Sequence, residues 1–184
     1  MSANATLTIG KQTNTSVALW FFIAVASSLF LLFIAAYVMR MNGNDWSMIK
    51  LPWQLWLSTG LLALTSALLA VANRTKKPYP LMASWGSSVL FLFAQLWVWK
   101  VLQASHITAS GNPAASFFYL LTAMHGLHVL GGLVALFITI RTPSALRIKL
   151  CARYWHFLLI VWLVLFAMLS GLTPHLVRII CGTA

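Results

Sequence analysis

The sequence predicts an all-α polytopic membrane protein, a bundle of five transmembrane helices that forms a single membrane domain over residues 1–184. Of its residues 61% are hydrophobic and only 7% are charged, whereas soluble domains carry about 25% charged residues. Five apolar segments reach the ~20 residues that one crossing needs. These spans are predicted at residues 17–39, 53–72, 81–102, 113–140 and 152–172.

The first three spans are bounded by polar residues and prolines. Residues 1–16 are polar and contain no cleavable apolar core, so we expect the first span to be retained in the mature protein. The second span is entered after Pro52, and the third after Pro78 and Pro80. The connections are short, which favours antiparallel packing of consecutive helices.

The fourth span begins at a pair of residues that is typical of a helix N-terminus. Asn112 can accept a hydrogen bond as the cap, and Pro113 occupies the first helical position, where no backbone N–H is needed. Pro143 closes this span, and the fifth is predicted to follow after a basic loop.

The charge distribution predicts the orientation of the bundle. Lys and Arg total 12 against one acidic residue, Asp45, which gives a net charge of +11. No basic run is interleaved with stacking aromatic residues, so nucleic acid is not an expected partner. Eight of the 12 cations lie on the side of the amino-terminal tail. The positive-inside rule therefore predicts a cytoplasmic amino terminus and a carboxyl terminus outside.

The scarcity of acids limits the chemistry that the chain can perform. A pair of carboxylates for acid–base catalysis is absent from the sequence, and so is an aspartate that could complete a catalytic triad within a span. We predict no catalytic, cofactor-binding or metal-binding residue in this chain.

A polar and small stripe follows one face of the fourth span. Its members recur at helical steps of three or four residues: Thr122, His125, His128, Gly132 and Ala135. Because lipid cannot satisfy an imidazole, this face should contact protein. The two histidines could ligate a metal or haem, but no third ligand is placed at their depth. We predict an interhelical hydrogen-bond pair instead.

The third span carries one strongly polar residue, Gln95, in line with Ser84 and Ser88. The serines are expected to serve close packing between helices. Gln95 is predicted to hydrogen-bond to a neighbouring helix. With His125, His128 and Gly132, it forms the predicted interhelical or subunit-contact set.

Two sequence motifs resemble the last two helices of subunit III of the haem-copper respiratory oxidases. The first comprises residues 116–119 with His125, His128 and the glycine pair 131–132, and the second comprises residues 154–157 with Trp162. The resemblance extends from about residue 20 to about residue 171, and it is to the five-helix bacterial form of the cytochrome c oxidase subunit III family.

The resemblance implies a non-catalytic subunit of a terminal oxidase that reduces oxygen and translocates protons. Haem and copper are then expected in subunit I, which this chain would contact directly, with subunit II and other subunits in the same complex. The implied location is the bacterial inner (plasma) membrane, with a periplasmic carboxyl terminus.

The family also holds ordered phospholipid, which bears on the start of the fifth span. Arg153, Tyr154, Trp155 and His156 combine a cation with aromatic residues, as at a membrane interface. They are predicted either to anchor the helix there or, as the resemblance favours, to bind a phospholipid head group, with Arg153 on the phosphate.

This chain departs from the family at two membrane carboxylates. Ala26 and Leu159 occupy the positions where relatives carry an acid. A proton-handling role based on those acids is therefore not expected here.

Three other functions remain open from the sequence. The chain could be the subunit III-like partner of a quinol oxidase or of a nitric oxide reductase, which would have the same fold in a different complex. It could also be a small transporter, although the spans show no internal repeat and no buried acid. A free-standing b-type haem protein is the third alternative.

Overall fold

The computed structural model describes residues 2–41, 43, 46, 47, 49, 51–75 and 77–171, with side chains from residue 14 onward. Within these residues, five helices are long and apolar enough to cross a membrane, which confirms the all-α polytopic prediction. They are α1 (Ser2–Arg40), α2 (Gln54–Thr75), α3 (Pro78–Ala104), α4 (Pro113–Arg141) and α5 (Ala145–Gly171). Asp45 and the end of the predicted fifth span, residue 172, lie outside the described residues.

The helices are longer than the predicted spans, most clearly at α1 and α5. Hydropathy marks only the apolar stretch, whereas the helical backbone continues through polar residues that can lie outside the hydrocarbon. At α5 the Oγ of Ser144 accepts a hydrogen bond from the backbone N–H of Arg147, 3.2 Å away. The helix therefore begins seven residues earlier than the predicted span, which places residues 153–156 about 10 Å further along the helix than expected.

The start of α4 is capped as the sequence predicts. The Oδ1 of Asn112 accepts a hydrogen bond from the backbone N–H of Ala114 at 3.0 Å, and Pro113 takes the first helical position. The amide nitrogen of Asn112 also donates to the carbonyl of Ser47 at 2.6 Å. The cap thus fastens the connection between α1 and α2 to the end of α4.

Helices α2 to α5 form the centre of the bundle, and α1 packs against α4 and α5. The most deeply buried side chains come from all four central helices and include Leu62, Phe91, Val129, Leu158 and Trp162. Most of α1 is exposed outside this bundle, although Phe30 and Tyr37 are buried.

Two tryptophans link neighbouring helices by hydrogen bonds. The indole N–H of Trp99 on α3 donates to Thr122 Oγ1 on α4 at 3.1 Å. The indole N–H of Trp162 on α5 donates to Thr59 Oγ1 on α2 at 2.9 Å. Such bonds add to the close packing that holds membrane helices together.

Candidate functional site

His125 lies at the centre of the bundle inside a group of aromatic rings. Its side chain is 0% exposed. Its ring centroid lies 5.1 Å from that of Trp162, 6.0 Å from that of Phe91 and 6.3 Å from that of Phe30. Neither ring nitrogen has a hydrogen-bond partner among the described residues. The predicted interhelical hydrogen bond of His125 is not formed among the described residues, where its neighbours on α1, α3 and α5 are aromatic rings.

His128 lies one turn further along α4 and is only partly buried. Its Nδ1 donates to the carbonyl of Met124, 2.7 Å away on the same helix. The link to another helix is made by its backbone, because the hydroxyl of Tyr154 donates to the His128 carbonyl at 2.9 Å. The predicted interhelical bond of the His128 side chain is not formed either, since its Nδ1 bonds within α4.

Gly132 marks the closest approach of α4 and α5. A Cβ at this position would lie 3.0 Å from Cε1 of Tyr154 and 3.3 Å from Cζ2 of Trp155. Gly132 therefore faces this chain's own last helix, and its contact with another subunit stays a prediction. Ala135, predicted on the same face, is exposed.

Ala135 is exposed because α1 stands away from α4 at this level and leaves an apolar groove. The groove has a volume of about 520 Å³ and lies between α1, α4 and α5. Phe22, Gly131 and Tyr154 line it, and Arg147 lies at the start of α5 beside it. The guanidinium of Arg147 donates to the carbonyl of Thr142 at 3.2 Å.

Gln95 is buried on α3, with 7% of its side chain exposed. Both its Oε1 and its Nε2 lack a hydrogen-bond partner among the described residues. The predicted bond to a neighbouring helix is therefore not formed by side chains of the described chain. One turn further along α3, the hydrogen bond from Trp99 to Thr122 links α3 to α4.

The four residues predicted at a lipid head group separate into two pairs. Tyr154 and Trp155 point into the bundle, where Trp155 is 0% exposed. Both side chains are buried among the helices, and their contact with a lipid head group stays a prediction. Arg153 is partly exposed and His156 is exposed.

Arg153 and His156 border a basic cavity between α2 and α5. The cavity has a volume of about 360 Å³, and it is lined by Ala70, Asn73, Arg74, Lys149, Ala152, Arg153 and His156. Arg153 also places its guanidinium over the ring of Trp20 on α1, 5.5 Å from the centroid. His156 is oriented by a hydrogen bond between its Nδ1 and the hydroxyl of Ser66 on α2.

Sequence reasoning missed Arg74 and Lys149 as members of this cavity. Both appeared only as charges in loops that orient the protein. The signal available in the sequence was the spacing of Lys149, Arg153 and His156, which follow one another at helical steps of four and three residues. That spacing becomes visible only once α5 is known to begin at Ala145.

Ala26, at the position where the family resemblance implies a membrane acid, faces the bundle. It is 4% exposed and precedes Phe30 by one turn, and the Phe30 ring lies 5.3 Å from that of His128. An acid at this position would therefore be directed toward the histidines of α4. This chain places a methyl group there.

His125 and His128 lie on the same helix, and the rings of Phe30, Phe91 and Trp162 surround His125. The absence of haem and copper from this chain stays a prediction. Within the described part of the chain, no three His, Cys, Asp or Glu side chains lie close enough to hold a metal ion.

The fold defines the class of this protein: a multi-pass, all-α membrane protein. No family model matches the chain. Similarity to curated proteins is more specific. The chain is 34% identical over 89 residues to a probable cytochrome c oxidase subunit 3 of Mycobacterium tuberculosis, and the match covers 44% of each protein.

Two further relatives extend this similarity. A probable cytochrome c oxidase subunit 3 of Nocardia farcinica is 44% identical over 66 residues, which is 32% of each chain. A probable quinol oxidase subunit 3 of Staphylococcus aureus is 27% identical over 186 residues, which covers 88% of this chain and 92% of the relative.

The resemblance to oxidase subunit III is therefore confirmed: this chain is a homologue of proteins named oxidase subunit 3. The chain spans less than half the length of the mycobacterial and nocardial relatives that it matches.

Proposed function

We propose that this chain is the non-catalytic subunit III of a bacterial haem-copper terminal oxidase. It packs against subunit I, which holds the haems and copper, and subunit II and other subunits complete the complex. The observation that carries the proposal is the combination of named oxidase subunit 3 relatives with a bundle that has one acidic residue in 184. A chain so poor in acid–base groups is suited to supporting a catalytic partner rather than performing chemistry itself.

The experiment is to delete the gene and measure oxygen uptake by the membranes. Uptake driven by the partner oxidase should fall, and it should return when the intact gene is supplied on a plasmid. Unchanged uptake, with an unchanged amount of assembled haem-copper oxidase on a native gel, would contradict the proposal.

A quinol oxidase is the second candidate complex, because the relative that aligns over most of this chain is named a quinol oxidase subunit 3. The more identical but shorter matches carry the name cytochrome c oxidase. The two candidate complexes can be distinguished by measuring oxygen uptake with reduced cytochrome c and with a quinol as the electron donor. Each measurement is made with and without the gene. The donor whose uptake depends on this chain identifies the complex.

We also propose that the cavity between α2 and α5 binds the phosphate of an anionic phospholipid. Three permanent cations, from Arg74, Lys149 and Arg153, meet there with His156. The chain's single acid, Asp45, lies in the connection between α1 and α2, whereas this cavity borders the end of α2 and the start of α5. Basic cavities between membrane helices on the cytoplasmic side are suited to phosphate head groups.

Native mass spectrometry of the purified complex tests this lipid site. Arg74→Gln combined with Lys149→Gln should reduce the retained anionic lipid. Lys100→Gln, which removes a cation near the other end of the bundle, serves as the control and should leave retention unchanged. Equal retention of anionic lipid by the unaltered complex and by both variants would contradict the proposed site.

The proposed orientation in the bacterial inner membrane has a cytoplasmic amino terminus and a periplasmic carboxyl terminus. It rests on the asymmetry of the cations between the two sides. A reporter that is active only in the periplasm should work when it is fused to the carboxyl terminus and should be silent at the amino terminus.

A further inference from the structure

An amide and an imidazole in the centre of the bundle have no hydrogen-bond partner among the described residues. They are Gln95 on α3 and His125 on α4, which are 7% and 0% exposed. Their four oxygen and nitrogen atoms make no hydrogen bond within the described chain. Buried polar groups are almost always paired with protein or with ordered water, because leaving them unpaired is costly.

The contacts of α3 with α4 place these two side chains at neighbouring levels. The ring of Phe91 on α3 lies 6.0 Å from that of His125, and Trp99 on α3 bonds to Thr122 on α4. Gln95 is one turn from Phe91 and one turn from Trp99, on the same face of α3. It therefore lies between the levels of His125 and Thr122, about 6 Å along the helix axis from Phe91.

The hydroxyl and indole groups nearest to this position are already engaged. The hydroxyl of Thr122 donates to the carbonyl of Phe118 at 2.7 Å and accepts from Trp99. The indole N–H of Trp162 is bonded to Thr59. These groups already have partners, whereas Gln95 and His125 have none among the described residues. The indole nitrogen of Trp155 is also unpartnered, but that ring lies against Gly132, two turns along α4 from His125.

We propose that one internal water molecule bridges Gln95 and His125. A buried water needs two to four polar partners. The amide offers a donor and an acceptor, and a neutral imidazole offers one of each. Two hydrogen bonds of about 2.8 Å let a water span roughly 5.6 Å between the side chains. The water joins α3 to α4 at mid-bundle, where the side chains make no direct bond.

X-ray radiolytic footprinting of the native complex tests this proposal, because a bound water yields hydroxyl radicals beside the groups that hold it. Phe91 and Phe118 are equally buried aromatic residues on the same two helices. Phe91 should be oxidised several-fold faster than Phe118, with ¹⁸O incorporated when the complex is equilibrated in ¹⁸O water. In the double variant Gln95→Leu with His125→Leu, oxidation of Phe91 should fall to the level of Phe118.

Two results would overturn the proposal. Equal oxidation of Phe91 and Phe118 in the unaltered complex would mean a dry site, with the amide bonded directly to the imidazole. Oxidation of Phe91 that persists in an assembled double variant would mean that any water there is held by other groups. The first comparison needs no variant, so it decides the matter even if the double variant does not assemble.

Discussion

Replacing Gly132 with leucine should destabilise the bundle, and replacing the adjacent Gly131 with leucine should not. At Gly132 even a Cβ would meet Tyr154 at 3.0 Å and Trp155 at 3.3 Å. Neither ring can yield easily, because the hydroxyl of Tyr154 is held by the carbonyl of His128 and Trp155 is fully buried. A Cβ at Gly131 would meet nothing within 4 Å.

The two variants differ in packing alone, which makes their comparison informative. Each gains about 0.8–1 kcal/mol of helix propensity when glycine is replaced, and this gain cancels in the difference. Overpacking at Gly132 costs about 1–3 kcal/mol. The free energy of unfolding of Gly132→Leu should therefore be lower than that of Gly131→Leu by this amount.

Unfolding of the full-length chain in mixed micelles, induced by SDS and followed by tryptophan fluorescence, measures this difference. Equal free energies of unfolding for the two variants would refute the assigned contact between α4 and α5. So would a lower value for Gly131→Leu, because it would place the close approach on the other glycine.

Three further predictions concern the polar groups of the bundle. The purified chain should show no Soret band and no stoichiometric copper, because the two histidines of α4 share one helix; either signal would contradict their assignment to packing. Ser66→Ala should lower the free energy of unfolding by about 1 kcal/mol by removing the hydrogen bond to α5. Ser28→Ala should leave it unchanged, because the Ser28 hydroxyl bonds within α1, and equal effects would count against the α2–α5 link. A hydrophobic carbodiimide should leave the helices unlabelled, because the chain's single acid, Asp45, lies in sequence between α1 and α2; mass spectrometry that finds an adduct on a helix peptide would contradict this.

The sequence was most informative where periodicity alone decides the outcome. The helical steps along α4 predicted one inward face, of which Thr122, His125 and Gly132 are buried, whereas His128 is partly buried and Ala135 is exposed. The cap at Asn112 followed from local backbone chemistry and is also confirmed. Both features depend on residues within about three helical turns of each other, so no knowledge of tertiary structure was needed.

The errors arose where the outcome depends on a partner that is distant in sequence. The start of α5 was placed too late because Arg147, Lys149 and Arg153 were interpreted as a loop, although charged residues can continue a helix beyond the hydrocarbon. That shift assigned Tyr154 and Trp155 to the membrane surface. The partners of Gln95 and His125 could not be derived either, because three other helices determine what surrounds them.

Purification of this chain from its native membranes, followed by identification of the proteins that remain bound, tests the central claim most directly. The account predicts a haem-copper oxidase subunit I in stoichiometric amount, with haem in the complex and oxygen reduction retained. Recovery of the chain alone under conditions that keep respiratory complexes intact, or with partners that contain no haem, would contradict its assignment as an oxidase subunit.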